Sequence, residues 1–318
     1  MSDLPQFVQI NEEGPREGFQ IEIAPIPTAQ KIALVDSLSE TGISHIQVVS
    51  FVDPKRVPGM ADADEVAKGF RRKPGVHYSA LWLNDRGFRR AVATNVFDIE
   101  GRIALTASEK FLRRNQGRSP VDDIAAQHQM VRLYKDHKIS LGRAYILAAF
   151  GCNFGGDIPA EKVLDMVHQI VDLTAEHEFE IKNLTLADTM AWAAPSSIKR
   201  LVNAVRSRFP KLRITLHLHD TRGMGIANAY AGLECGVDSF DTAVAGLGGC
   251  PFAAHSGAAG NVCTEDLVFM LHEMGIATGI DLEKLIDVAH LAEKIVGHAL
   301  PGSVMHGGTL EALRSQLH

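Results

Sequence analysis

Short runs of apolar, β-favouring residues recur along the chain at 7–12, 45–51, 76–83, 102–107, 140–148, 181–186, 213–219 and 239–245. Between them lie stretches whose apolar positions return every three to four residues, among them 29–40, 121–136, 160–176 and 196–209. The first pattern predicts buried strands and the second amphipathic helices. Punctuation agrees with that division. Thr28, Ser119-Pro120 and Pro195-Ser196-Ser197 supply helix starts, and Gly42 and Pro210 stand where helices should stop. Strands alternating with helices in this way predict parallel βαβ units.

Two architectures could be built from such units, an open doubly wound sheet and a closed (β/α)8 barrel. An open sheet usually carries a phosphate fingerprint at its first strand–helix turn. Here that turn reads Glu13-Gly-Pro-Arg-Glu-Gly-Phe-Gln20, with no GxGxxG, and no GxxxxGK[ST] occurs elsewhere. The even spacing of eight repeats predicts a (β/α)8 TIM barrel over residues 1–280. Residues 281–318 then form an accessory C-terminal segment: one helix over 281–297, capped by Thr278 or Asp281, and a loose tail after Leu300.

Composition narrows the function classes. With 46% apolar and 22% charged residues the 318-residue chain can bury a large core, which excludes a disordered or low-complexity protein. A net charge of −6 argues against nucleic acid or an anionic membrane as partner. No window approaches the roughly 20 apolar residues of a membrane span. Met1-Ser-Asp-Leu-Pro-Gln6 lacks the features of a signal or transit peptide, so the expected compartment is the cytoplasm. Cys152, Cys235, Cys250 and Cys263 form no CxxC pair and read as reduced thiols.

The strongest chemical signal is Thr215-Leu-His217-Leu-His219-Asp220-Thr221. Residues two apart on a strand face the same side, so His217 and His219 point together at a strand end, as a metal-ligand pair would. Hard divalent cations also want oxygen ligands. Glu17 after strand one, Asp188 after strand six and Asn261 after strand eight offer them, although each alone could be an ordinary turn residue. The glycine-rich stretch from Ala245 to Asn261 contains Cys250, a possible acid, base or nucleophile. Most free cysteines are merely small buried residues, and Cys152 is the weaker candidate. Cys235 and Cys263 sit in helix patterns and read as structural. Arg71-Arg72-Lys73 reads as solvated surface.

Taken in order, Gly14-Pro-Arg-Glu-Gly-Phe-Gln20, Ser50-Phe-Val-Asp-Pro-Lys-Arg-Val-Pro58, Ala187-Asp-Thr189, His217-Leu-His-Asp-Thr221, Ala245-Gly-Leu-Gly-Gly-Cys-Pro251 and Gly260-Asn261 with Thr264-Glu-Asp-Leu267 resemble the hydroxymethylglutaryl-CoA lyases of the DRE-TIM metallolyase superfamily. The resemblance spans roughly residues 7–298. It implies cleavage of a 3-hydroxyacyl-CoA, hydroxymethylglutaryl-CoA or a close analogue, to acetyl-CoA and a keto product. It also implies a divalent cation, Mg²⁺ or Mn²⁺, held by Glu17, His217, His219 and Asn261, and a homodimer. Arg16 would stabilise the enolate, Cys250 would protonate it, and Asp188 would assist transfer of the hydroxyl proton. Arg113, Arg114 and Lys55 are candidate contacts for coenzyme A.

Three departures from the family pattern stand out. Glu17 replaces the usual aspartate, Gln47 replaces the usual glutamate of the Asp-Arg-Glu trio, and the stretch between Cys250 and Asn261 is about two residues longer, bringing in His255. Gln47, Ser50 and His255 thus join the residues that could touch substrate or support the site. Related condensing synthases usually carry Gly-Glu-Arg where this chain has Gly248-Gly249-Cys250, which favours the lyase branch. Two alternatives remain distinct in their expected behaviour: a synthase joining acetyl-CoA to a 2-oxo acid, and a catalytically altered barrel that only binds acyl-CoA.

Overall fold

The computed structural model describes residues 4–22, 25–248 and 260–317. Its eight parallel strands are β1 (Gln9–Glu12), β2 (His45–Ser50), β3 (His77–Leu81), β4 (Gly101–Thr106), β5 (Leu141–Leu147), β6 (Asn183–Asp188), β7 (Arg213–Leu218) and β8 (Ser239–Thr242). They form one sheet in the order β3-β2-β1-β8-β7-β6-β5-β4, so that the last strand of the chain neighbours the first. That cyclic order is the topology of a (β/α)8 barrel. A two-residue antiparallel ladder, Gly151–Cys152 with Gly156–Asp157, decorates the segment after β5.

Two compact units share the strands. Ile99–Phe240 is the body of one, which carries β4 to β7 and the start of β8. Gln6–Asp98, with residues 241–248 and 260–317, makes the other, which carries β1 to β3 and the end of β8.

In the first unit, β6 pairs with β7 so that Ala187 faces His217 and Asp188 faces Leu218. Alternate strand residues Ile103, Leu105, Ala144, Ile146, Leu184, Leu186, Leu216 and Leu218 are fully buried. So are Val163, Val167 and Ile170 of helix α7 (Ala160–Glu176) and Ile198, Val202 and Val205 of helix α8 (Pro195–Arg208). Their spacing of three and four residues is the helical counterpart of the strand alternation. Removal of apolar side chains of this size from water supplies about 1.5–3 kcal/mol each. The other strand face is polar: Thr215 Oγ1 donates to Ser239 Oγ at 3.0 Å, with both residues buried.

Helix starts follow local chemistry. Ser119 caps α6 (Pro120–Asp136) in a capping box with Asp122. Asp281, rather than Thr278, caps α11 (Leu282–Val296) by accepting from Lys284 N, while Thr278 Oγ1 bonds His272 Nε2. Thr28 is no cap. It is the first residue of α2 (Thr28–Ser39), and its hydroxyl donates to Asp62 at 2.7 Å.

Two segments differ from the sequence expectation. Residues after Glu13 do not form a turn but an α-helix, α1 (Gly14–Ile21), because Pro15 at the first turn presets a helical φ. The tail after Leu300 is not loose: it contains α12 (Val304–Gly307) and α13 (Leu310–Gln316). Asp266 fixes its start by accepting from the N–H groups of Ser303 and Val304, and Thr309 donates to Glu283 at 2.5 Å. Among the described residues no helix is long and apolar enough to cross a membrane.

Candidate functional site

Within the first unit the titratable side chains sit at the C-terminal ends of β6 and β7. Asp188 is the last residue of β6, fully buried, and each carboxylate oxygen accepts a backbone N–H, from Trp192 at 2.7 Å and Ala193 at 3.0 Å. Burial pushes its pKa up from the ordinary aspartate range, against the pull of those N–H groups and of His219 and His217. The turn after it is pinned by Arg222, whose Nη1 donates to the carbonyls of Met190 and Ala191.

His217 and His219 lie side by side, as the strand alternation predicts, with ring centroids 5.1 Å apart and planes at 80°. His219 Nδ1 lies 2.9 Å from the Asp188 carbonyl. A carbonyl only accepts, so Nδ1 carries the proton and Nε2 keeps its lone pair. A histidine oriented in this way through its second nitrogen is what metal coordination requires.

The second unit contains Glu17 and Asn261. Glu17 lies in the first turn of α1, where the helix dipole favours a carboxylate. Its Oε1 is 2.6 Å from Arg16 Nη1, and its Oε2 accepts from Asn261 Nδ2 at 2.5 Å. Asn261 Nδ2 also donates to the Leu247 carbonyl at 3.1 Å. Two acceptors at the nitrogen fix the amide orientation. The buried Asn261 Oδ1 is thereby an acceptor with no hydrogen-bond partner among the described residues, which is the condition a bound cation would relieve. A carboxylate and an amide oxygen are donors that a hard divalent ion takes, so by their chemistry Glu17 and Asn261 fit such a metal.

Gly248 closes over this pair. Its φ of +88° is in the left-handed region, and an added Cβ would lie 2.7 Å from Asn261 Nδ2 and 2.9 Å from Glu17 Cβ. Gly248→Ala is therefore expected to displace both side chains and weaken metal affinity about tenfold or more, read by calorimetric titration with Mn²⁺. Unchanged affinity would remove this glycine from the support of Glu17 and Asn261.

Arg16 is buried beside them. Its Nε donates to Gln47 Oε1 at 2.5 Å and its Nη2 to Glu13 Oε2, while Nη1 faces Glu17. Burial works against the guanidinium charge, but Glu17 and Glu13 outweigh it and hold the group protonated above its ordinary range. Ser50, at the end of β2, is fully buried, and its hydroxyl has no hydrogen-bond partner among the described residues.

Glu12 and Glu13 escaped the sequence reading. The available signal was two consecutive acids closing an apolar strand, a position where burial would demand partners. Glu12 is fully buried and ties three segments together: Oε1 accepts from Gly14 N and Val244 N, and Oε2 from Thr264 Oγ1. Burial raises its pKa to about 7 despite those donors, and burial raises the Glu265 carboxyl of the same unit to about 7 as well.

A folded pKa above the unfolded value of 4.5 means that folding favours the protonated acid. Its contribution to stability is complete below about pH 4.5 and is lost as pH rises through 7. Glu12→Gln is expected to flatten the fall in unfolding free energy between pH 5 and 8 by on the order of 2 kcal/mol, measured by urea denaturation. An unaltered pH slope would sink this assignment.

Cys250 and His255 lie outside the described residues. Cys152 and Cys263 are buried, and burial pushes the Cys263 thiol well above its ordinary range, as for an inert structural thiol. Arg113 pairs with Glu109 one helical turn away, and Arg114 lies over the Phe154 ring at 4.9 Å. The Lys55 backbone N–H donates to Asp53 in an exposed loop. Arg71, Arg72 and Lys73 pair with Asp36, Asp98 and Glu40.

The strand order and the side chains gathered at strand ends define a (β/α)8-barrel protein of the kind that places its chemistry after the strands. Comparison with known proteins gives the family. A profile of the HMGL-like family matches residues 7–292, and the chain belongs to that family. It is 40% identical over 299 residues to the hydroxymethylglutaryl-CoA lyase of Bacillus subtilis, covering 93% of this chain and 96% of the relative. A Pseudomonas aeruginosa 3-hydroxy-3-isohexenylglutaryl-CoA/hydroxymethylglutaryl-CoA lyase is 38% identical over 295 residues, covering 93% and 95%. Among solved structures, an HMG-CoA lyase from Acinetobacter baumannii in complex with coenzyme A and 3-methylmalate matches with a TM-score of 0.87 and 37% identity, covering 97% of each chain. The expected barrel and the expected lyase kinship both hold.

Proposed function

We propose that this protein is a metal-dependent carbon–carbon lyase that cleaves a 3-hydroxyacyl-CoA to acetyl-CoA and a keto product. The observation that carries the reading is near-full-length similarity to proteins named as lyases of such thioesters. The acyl group is hydroxymethylglutaryl or a close analogue. In the cell the enzyme works as a cytoplasmic homodimer.

The chemistry must break a C–C bond and leave an enolate, so charge develops at two places. Glu17, Asn261, His217 and His219 would hold the divalent cation, Mg²⁺ or Mn²⁺. When bound, that cation supplies Lewis acidity at the 3-hydroxyl oxygen. Asp188 would accept the hydroxyl proton, and its buried setting makes it a stronger base than a solvated aspartate. The electron pair of the breaking bond passes to the thioester, where Arg16 would donate to the developing enolate oxygen. The three contacts of Arg16 to Gln47, Glu13 and Glu17 fix the guanidinium plane and leave two N–H groups for this task. Cys250 would return a proton to the enolate carbon and complete acetyl-CoA.

The test is acetyl-CoA release from a panel of thioesters: hydroxymethylglutaryl-CoA, a longer 3-alkyl homologue and a branched 3-hydroxydicarboxylyl-CoA. Release from at least one supports the reading. No release from any, with product instead formed on mixing acetyl-CoA with 2-oxo acids, would replace it by the condensing reaction.

A further inference from the structure

Gln47, the third residue of β2, is a neutral amide at a position where the resemblance implies a carboxylate. An amide can accept a hydrogen bond from Arg16 Nε, and does so at 2.5 Å, but it cannot neutralise a buried guanidinium. A buried cation without a counter-charge is costly enough that the chain must supply one elsewhere. Glu17 alone is a poor source, because its carboxylate is already shared with Asn261 and, on the proposed function, with the cation.

We propose that Glu13 carries the displaced charge of the trio and is the positioning residue of Arg16 in this chain. Glu13 is the residue before α1, and Arg16 follows three positions later on the same helical face. Its carboxylate is almost fully buried and accepts from Arg16 Nη2. Its own backbone is immobilised. The Glu13 N–H donates to the Thr242 carbonyl at 2.8 Å, and the Glu13 carbonyl accepts from the N–H groups of Arg16 and Glu17 at 3.1 and 2.8 Å. Little conformational freedom is left to lose in holding the pair. Gln47 orients one edge of the guanidinium and Glu13 neutralises the other, so Glu17 keeps its electron density for the cation. The negative charge has moved from a strand to a helix start while its partner has stayed in place.

This inference rests on the proposed function for its kinetic arm, and a second arm reads the pairing without turnover. The variants are Glu13→Gln and the charge-relocating double variant Glu13→Gln/Gln47→Glu, with the wild type as reference and the thioester it cleaves as substrate. Glu13→Gln is expected to lower kcat about 100-fold while KM moves less than about threefold, because Arg16 acts on the transition state. The double variant is expected to recover to within about tenfold of wild type. In thermal unfolding, Glu13→Gln is expected to lower Tm by about 5 °C and the double variant to restore it.

Near-normal kcat in Glu13→Gln, or a double variant no better than the single one, overturns the proposal. Should Glu13→Gln fail to fold, the double variant decides directly: kcat within tenfold of wild type supports the relocation, and a hundredfold loss overturns it. If the wild type cleaves no thioester, the functional reading fails by itself. Restoration of Tm by Gln47→Glu then still supports the pairing, and its absence overturns it.

Discussion

Replacing His219 by phenylalanine is expected to lower thioester cleavage by about a thousandfold or more and to abolish tight binding of Mg²⁺ or Mn²⁺. The argument starts from one hydrogen bond. His219 Nδ1 is 2.9 Å from the Asp188 carbonyl, so the proton is on Nδ1 and the lone pair is on Nε2. Phenylalanine keeps the ring volume and removes that lone pair. It also removes one hydrogen bond to a carbonyl, worth about 1 kcal/mol, too little to unfold a barrel of this size. The activity loss follows from the several kcal/mol of charge stabilisation that a bound cation supplies, at 1.36 kcal/mol per decade. A chelator should produce the same loss in the wild type, and added Mg²⁺ or Mn²⁺ should reverse it. Calorimetric titration provides the readout independent of turnover. A phenylalanine variant that still binds Mn²⁺ with wild-type affinity would exclude His219 as a ligand.

That histidine pair was legible in the sequence because its signal is short-range. Two histidines separated by a leucine need only the two-residue period of a strand to point the same way, and the strand itself announces its period through Ile214, Leu216 and Leu218. Asp188 was legible for the same reason, although it closes strand six rather than following it. The barrel was legible because its units repeat, and repetition compensates for strand ends misplaced by one to three residues.

The surroundings of Arg16 were not legible. Gly14-Pro15 and Gly18 make the segment look like a turn, whereas Pro15 sits where a helix tolerates proline best. Only once α1 exists do Glu13 and Arg16 stand one turn apart on one face. Glu12 and Glu13 likewise gain their partners only when the fold buries them. The tail beyond Leu300 looked loose because its glycines and proline hide two short helices held by side chains from Asp266 and Glu283. Contacts of that kind, 26 to 38 positions apart, leave no periodic trace in the chain.

Arg16→Lys is expected to lower kcat by a factor on the order of 100 to 1,000 with the fold intact, and Arg16→Gln to go further and destabilise the protein. Three guanidinium nitrogens face three different partners: Nε toward Gln47, Nη2 toward Glu13 and Nη1 toward Glu17. A lysine ammonium is one point charge on a flexible stem and can satisfy at most part of that set. It keeps the two glutamates compensated, so stability should fall little, but on the proposed function the donor for the enolate oxygen is lost. Removal of one such donor from a preorganised site typically costs about 10² to 10³ in kcat. Glutamine removes the charge as well. Buried Glu13 and mostly covered Glu17 then remain without a cation between them, and breaking a buried pair in that way costs about 3–5 kcal/mol. Lowering the pH should partly relieve the glutamine variant, because protonating either carboxylate removes the repulsion, whereas it should not help the lysine variant. Chemical denaturation at pH 5 and pH 8, beside steady-state kinetics, separates the two effects. Equal stability of Arg16→Gln and wild type at pH 8 would mean that Arg16 does not compensate these glutamates.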